Sequence, residues 1–216
     1  MLQKFTCFGY FFLESGYNVV MKILRNIFIG LFLVLAQVPA FSMSESEINS
    51  QKLEAIALYN ANNLKEAYAV ISSIPEEKRD AELWLLAANI TEDYERSLDA
   101  VYLLQRALKS DPKYYKAYYN LGNINFKQKK YNTAVSYYRA AVKYYREFPQ
   151  GWYNLGCAYY ELGEYDYAKK AFMRAITYDA KKKNYYYNLA LTYKQLNKPK
   201  QVQKMLDIYN KFGEDS

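Results

Sequence analysis

Apolar residues recur along this chain at helical spacing, in short blocks separated by polar breaks. Trp152, Leu155, Gly156 and Tyr159 occupy positions i, i+3, i+4 and i+7, one face of an amphipathic helix. Gln128-Lys129-Lys130 and Leu162-Gly163-Glu164 interrupt the pattern and predict turns, each followed by a second helix. The blocks themselves repeat. Tyr118-Tyr-Asn-Leu-Gly122, Trp152-Tyr-Asn-Leu-Gly156 and Tyr186-Tyr-Asn-Leu-Ala190 begin 34 residues apart, and the same step back from Tyr118 reaches Trp84. Small residues keep the period at Ala100, Ala134 and Ala168, and again at Ala107, Ala141 and Ala175. Between them lie Leu104, Tyr138 and Phe172. The pattern predicts an all-α chain of helix-turn-helix units at 48–80, 81–114, 115–148, 149–182 and a shortened 183–212. The first unit is degenerate and is marked mainly by Asn63-Leu-Lys-Glu-Ala67.

The segment Trp152-x2-Leu155-Gly156-x2-Tyr159, followed by Ala168-x3-Phe172, resembles the signature of the tetratricopeptide repeat family, lacking only its closing proline. The resemblance implies an α-solenoid, a right-handed superhelix of about five units. Gly or Ala at the closest approach lets the two helices of a unit pack, and each unit buries its remaining apolar face against the next. It further implies that the first helix of each unit lines a concave groove that takes a peptide or protein partner. By position, that groove is formed by Lys116, Tyr119, Asn123 and Phe126, then Gln150, Tyr153, Cys157 and Tyr160, then Asn184, Tyr187, Leu191 and Lys194. The spacing i, i+3, i+7, i+10 keeps each set on one helical face. Tyr119, Tyr153 and Tyr187 have two open readings, as ligand contacts or as filling between neighbouring first helices. Asn120, Asn154 and Asn188 read as structural. Some family members clamp the acidic C-terminus of chaperones; here Asn123 and Asn154 match, but Tyr119, Asn184 and Asn188 stand where cations are required, so that ligand is not expected.

Ahead of the repeats, Met21-Lys-Ile-Leu-Arg25 carries two positive charges and precedes ten unbroken apolar residues, Ile27 to Ala36. Small residues follow at Ala40 and Ser42. This is the order of a secretory signal peptide over 21–42, with cleavage after Ala40 or Ser42 and export to a periplasm or cell envelope. The rival is an uncleaved membrane anchor, disfavoured because fifteen residues span only about 22 Å as a helix, against a hydrocarbon core of about 30 Å. Residues 1–20 read as an upstream extension, with Met21 the expected start.

Composition narrows the chemistry. Among 216 residues there are 26 tyrosines and no histidine, which removes the commonest general base and zinc ligand. Cys7 and Cys157 are the only cysteines, too few for a disulfide framework or a Cys-rich metal centre. Cys157 reads as a packing residue, and no Gly-rich phosphate loop is present. No catalytic, metal or cofactor site is therefore expected. Residues 43–180 balance 18 bases against 18 acids, and residues 181–216 carry eight lysines against three acids. The Lys-rich end, Lys198 to Lys211, reads as a solvated terminal cap. Its functional alternatives are docking on an acidic partner or on an anionic membrane surface. Nucleic-acid binding is not expected, because the excess includes no arginine and does not follow the groove. The expected function is a non-catalytic scaffold.

Overall fold

The computed structural model describes residues 43–93 and 96–212; the signal-like segment 21–42 and the stretch before it lie outside the described residues. By its internal contacts the chain divides into Met1–Glu47 and Ile48–Ser216. At the edge of the first part, Ser44 and Glu47 form a reciprocal cap. The Ser44 amide donates to Glu47 Oε2 at 2.7 Å, and the Glu47 amide donates to Ser44 Oγ at 3.3 Å.

Among the described residues there are ten α-helices and no strand. They are α1 (Glu45–Asn60), α2 (Leu64–Ser73), α3 (Ala81–Asp93), α4 (Ser97–Ser110) and α5 (Tyr115–Lys127), then α6 (Tyr131–Tyr144), α7 (Pro149–Glu161), α8 (Tyr165–Tyr178), α9 (Lys183–Gln195) and α10 (Pro199–Lys211). Odd-numbered helices are the first helices of the units and even-numbered ones the second. α1 starts three residues ahead of the boundary at 48, and a short 3-10 turn, Glu76–Lys78, makes the first junction irregular. Pro149 and Pro199 open α7 and α10, where a missing amide hydrogen leaves no bond unmade.

Among the described residues the turn inside a unit has one backbone solution, used four times. Asn62, Lys129, Gly163 and Asn197 all adopt left-handed φ, between 53° and 76°. Each lies just past the end of a first helix and closes a double hydrogen bond. Gly163 N–H donates to Tyr160 O and Glu164 N–H to Tyr159 O, both at 2.9 Å. Lys129 and Lys130 repeat the pattern onto Phe126 and Asn125. This Schellman closure satisfies carbonyls that the helix end leaves open.

Each unit closes on a small residue facing a large one. The rings of Tyr138 and Phe172 are 1% exposed and lie against Gly122 and Gly156, where an added Cβ would come within 2.5 and 2.7 Å of ring carbons. Ala100, Ala107, Ala134, Ala141, Ala168 and Ala175 are fully buried in the same seams. The aromatic residue in the first turn of α5, α7 and α9 ties down the loop that enters it. Tyr118 Oη, Trp152 Nε1 and Tyr186 Oη donate to the carbonyls of Pro112, Arg146 and Ala180 at 3.1, 2.7 and 3.2 Å. From α2 onward each helix packs against the next, and the first helices also touch one another, α5 against α7 and α7 against α9.

Candidate functional site

The stripe expected on the first helices separates into two tiers. Lys116, Gln150, Asn184 and Lys194 are exposed, and Tyr187 is 43% exposed. Tyr119, Asn123, Phe126, Tyr153, Cys157, Tyr160 and Leu191 are half-buried. Contact with the next first helix and with the second helices produces the lower tier.

The meeting is a polar ladder built on the period. Asn154 Nδ2 on α7 donates to Tyr119 Oη at 3.1 Å and to Asn123 Oδ1 at 2.9 Å on α5. Asn123 Oδ1 also accepts from Tyr138 Oη at 2.9 Å. One unit later, Asn188 Nδ2 donates to Tyr153 Oη at 2.7 Å and approaches Cys157 Sγ at 3.8 Å. One unit earlier, Asn120 Nδ2 donates to Asn89 Oδ1 at 2.6 Å. Asparagine at the third place of the Tyr/Trp-Tyr-Asn-Leu-Gly block therefore couples units, and no ligand is needed to account for it. Tyr119 and Tyr153 accept these bonds while packing edge-on or tilted against Phe148 and Phe172. Phe126 meets Tyr131 edge-on at 5.3 Å and belongs to the joint between α5 and α6.

Burial sets the electrostatics of the lower tier. It pushes the Tyr119 and Tyr153 hydroxyls above their ordinary range, against the opposing hydrogen bonds from the asparagines. It raises the Cys157 thiol to about 11, so this sulfur stays protonated and unreactive near neutrality. Cys157, Tyr160 and Leu191 border a small cavity of about 170 Å³ whose floor includes Phe172 and Asn188. A larger groove of about 870 Å³ opens at the last unit between α9 and α10, with Tyr187, Leu191 and Lys194 on its α9 side. Among the described residues no three His, Cys, Asp or Glu side chains gather as metal ligands. The surface thus offers amide, ammonium and phenol groups above a sealed aromatic floor.

The partners within the ladder were not readable from the stripe. Tyr138 and Phe148 enter the site from α6 and the loop after it, and only the 34-residue register relates them to α5 and α7. Among the described residues no helix is long and apolar enough to cross a membrane.

Known proteins match this arrangement. Family patterns described as tetratricopeptide repeat match residues 149–181 and 103–136, and one described as TPR repeat matches 122–163. No curated protein matches the sequence. Among solved structures, MamA from Desulfovibrio magneticus RS-1 is similar with a TM-score of 0.70 and 18% identity, over 81% of this chain and 99% of that one. MamA AMB-1 gives 0.66 and 18%, over 80% and 95%. A further crystal structure of MamA gives 0.67 and 20%, over 74% and 95%. At such identity the likeness establishes the helical-repeat fold alone. The three family matches, the 34-residue period and the paired helices together show a run of tetratricopeptide repeats over residues 103–181, the repeat from which protein-interaction scaffolds are built.

Proposed function

We propose that the chain is an exported, non-catalytic scaffold that holds a peptide segment of its partner against the face formed by α5, α7 and α9. One observation carries the reading: the two-tier stripe. The ladder and the aromatic rings fix the floor, while the exposed side chains of Lys116, Gln150 and Lys194 stand above it and, among the described residues, enter no ion pair. Preorganised polar side chains over a rigid aromatic floor suit a peptide, whose backbone amides and carbonyls need partners as they leave water. Export rests on the charged, apolar and small-residue order of 21–42.

A photo-crosslinking residue in place of Gln150, with a second in place of exposed Lys65 as control, tests the binding face in the native host. A discrete protein adduct from position 150 and none from 65 is expected. No adduct at 150, or the same adducts at both, overturns the reading. N-terminal sequencing of the mature chain tests export separately, with a start at Phe41 or Met43 expected; a chain retaining 22–41 is a membrane-anchored adaptor instead.

A further inference from the structure

A groove of about 500 Å³ lies on the other side of the array, between the second helices α6 and α8, with α7 as its floor. Its sides carry Arg139 and Lys143 from α6 and Arg146 from the turn that follows it, facing Lys170 and Arg174 on α8. No carboxylate lines it. Trp152, Leu155 and Tyr159 form an apolar and aromatic bottom, and exposed Tyr167 stands at its α8 edge. All five cations are exposed. Among the described residues none of them enters an ion pair. Asp166, the carboxylate beside Lys170, is held by Lys169 at 2.7 Å.

Repeat symmetry shows that packing does not require this cluster. A shift of 34 residues towards the N-terminus turns the five cationic positions into Gln105, Lys109, Pro112, Ser136 and Ala140. The opposite shift turns them into Met173, Thr177, Ala180, Lys204 and Ile208. The equivalent positions on either side therefore hold a single cation each, and this groove holds five. Arg139 with Lys143, and Lys170 with Arg174, are like-charge pairs at i, i+4, which weaken a helix. Placing both pairs across one groove adds to that repulsion, which an anionic occupant would relieve.

We propose that this groove is a second binding site, which takes an acidic peptide segment of a partner protein with an apolar side chain set into the floor. One cationic rail about 10 Å long and a facing one of about 6 Å, flanking an apolar trough, match an extended chain of about three residues whose carboxylates flank one buried side chain. Arginine supplies forked, bidentate donors for those carboxylates. The ring faces argue against a nucleic acid, since base stacking needs open rings. Here Tyr159 and Tyr167 stack on each other at 5.2 Å, and Lys170 lies over Tyr167. The apolar floor is recessed between two helices, out of reach of a flat bilayer surface.

The test uses the full chain and a fluorescent hexapeptide with a central Phe flanked by Glu, read by anisotropy, with the Gln-for-Glu peptide as its neutral counterpart. Saturable binding of the acidic peptide that weakens steeply with salt is expected, together with at least about a tenfold loss in R139E/R174E. A Gln150→Ala change on the opposite face leaves it intact. If the reversal variant does not fold by circular dichroism, R139Q/R174Q takes its place with the same expected direction. Equal binding by the charge variant, equal binding of the neutral peptide, or loss of binding on Gln150→Ala overturns the site. Tighter binding of a single-stranded oligonucleotide or of phosphatidylglycerol vesicles through the same arginines overturns the peptide assignment. Self-association that R139E/R174E alone abolishes assigns the groove to a second copy of the chain and also overturns it.

Discussion

Lys129 stands where its unit needs a left-handed residue, at φ 58°, and the equivalent place one unit later is Gly163 at φ 76°. An L-residue in this region costs roughly 1–2 kcal/mol, and glycine avoids that cost at the expense of about 0.5–1 kcal/mol of chain entropy. Lys129→Gly should therefore raise stability by about 0.5–1 kcal/mol, and Gly163→Ala should lower it by about 1 kcal/mol. An added Cβ at Gly163 meets nothing within 4 Å, so backbone strain alone is measured there. Urea unfolding of the two variants reads both signs. At this scale the sequence was highly legible in type. The spacing of Gly156 and Phe172 announced a close approach, and the breaks at 128–130 and 162–164 announced the turns. The acceptors of Tyr118, Trp152 and Tyr186 were hidden, because a carbonyl six residues upstream is reached only when the loop folds back over the helix start.

At the scale of the element, the asparagine ladder is what joins one first helix to the next. Asn154→Leu leaves the half-buried Tyr119 hydroxyl without its donor and the Asn123 amide oxygen with Tyr138 Oη alone, at an expected loss of about 1–3 kcal/mol. A merely local loss would act on α7 alone. Loss of coupling between units would let α9 and α10 open together with less protection than in the parent chain, because stability in such arrays is shared through neighbouring interfaces. Hydrogen exchange of the α9 amides distinguishes the two, with faster exchange in the variant expected. The family resemblance, carried over by position, assigned all twelve stripe residues to first helices, and all twelve lie on α5, α7 and α9. It did not separate the exposed Lys116, Gln150, Asn184 and Lys194 from the half-buried Tyr119, Asn123 and Tyr153, since burial there comes from a helix 34 residues away. The cationic groove was missed for a similar reason. Arg139, Lys143 and Arg146 show helical spacing, as do Lys170 and Arg174, but a balance of 18 bases and 18 acids summed along 43–180 conceals which of them face each other.

Across the whole molecule, charge and burial both follow the repeats. Residues 43–100 hold 5 bases and 12 acids, while residues 101–216 hold 21 bases and 9 acids, so the field of the later units draws anionic partners towards them. Several phenols lie in the seams between helices, which fixes how stability depends on pH. Burial raises Tyr119, Tyr138 and Tyr153, carries Tyr185 to about 12, and carries the Cys157 thiol to about 11. In the unfolded chain these groups release their protons near pH 10 for tyrosine and about 8.5 for cysteine. Below those values both states are protonated and the contribution is fully present. Above them the unfolded state holds fewer protons than the native one, so stability falls as pH climbs towards the raised values. No histidine titrates in the physiological range to add a second slope. Urea midpoints should therefore stay level from about pH 6 to about pH 8.5 and then decline, with phenolate absorbance rising in step with unfolding rather than ahead of it. Alkylation of Cys157 should be slow at pH 8 and accelerate towards pH 11. A midpoint that holds level to pH 11, or rapid alkylation of the folded chain at pH 8, would show that solvent reaches these seams and that the first helices are not sealed against each other.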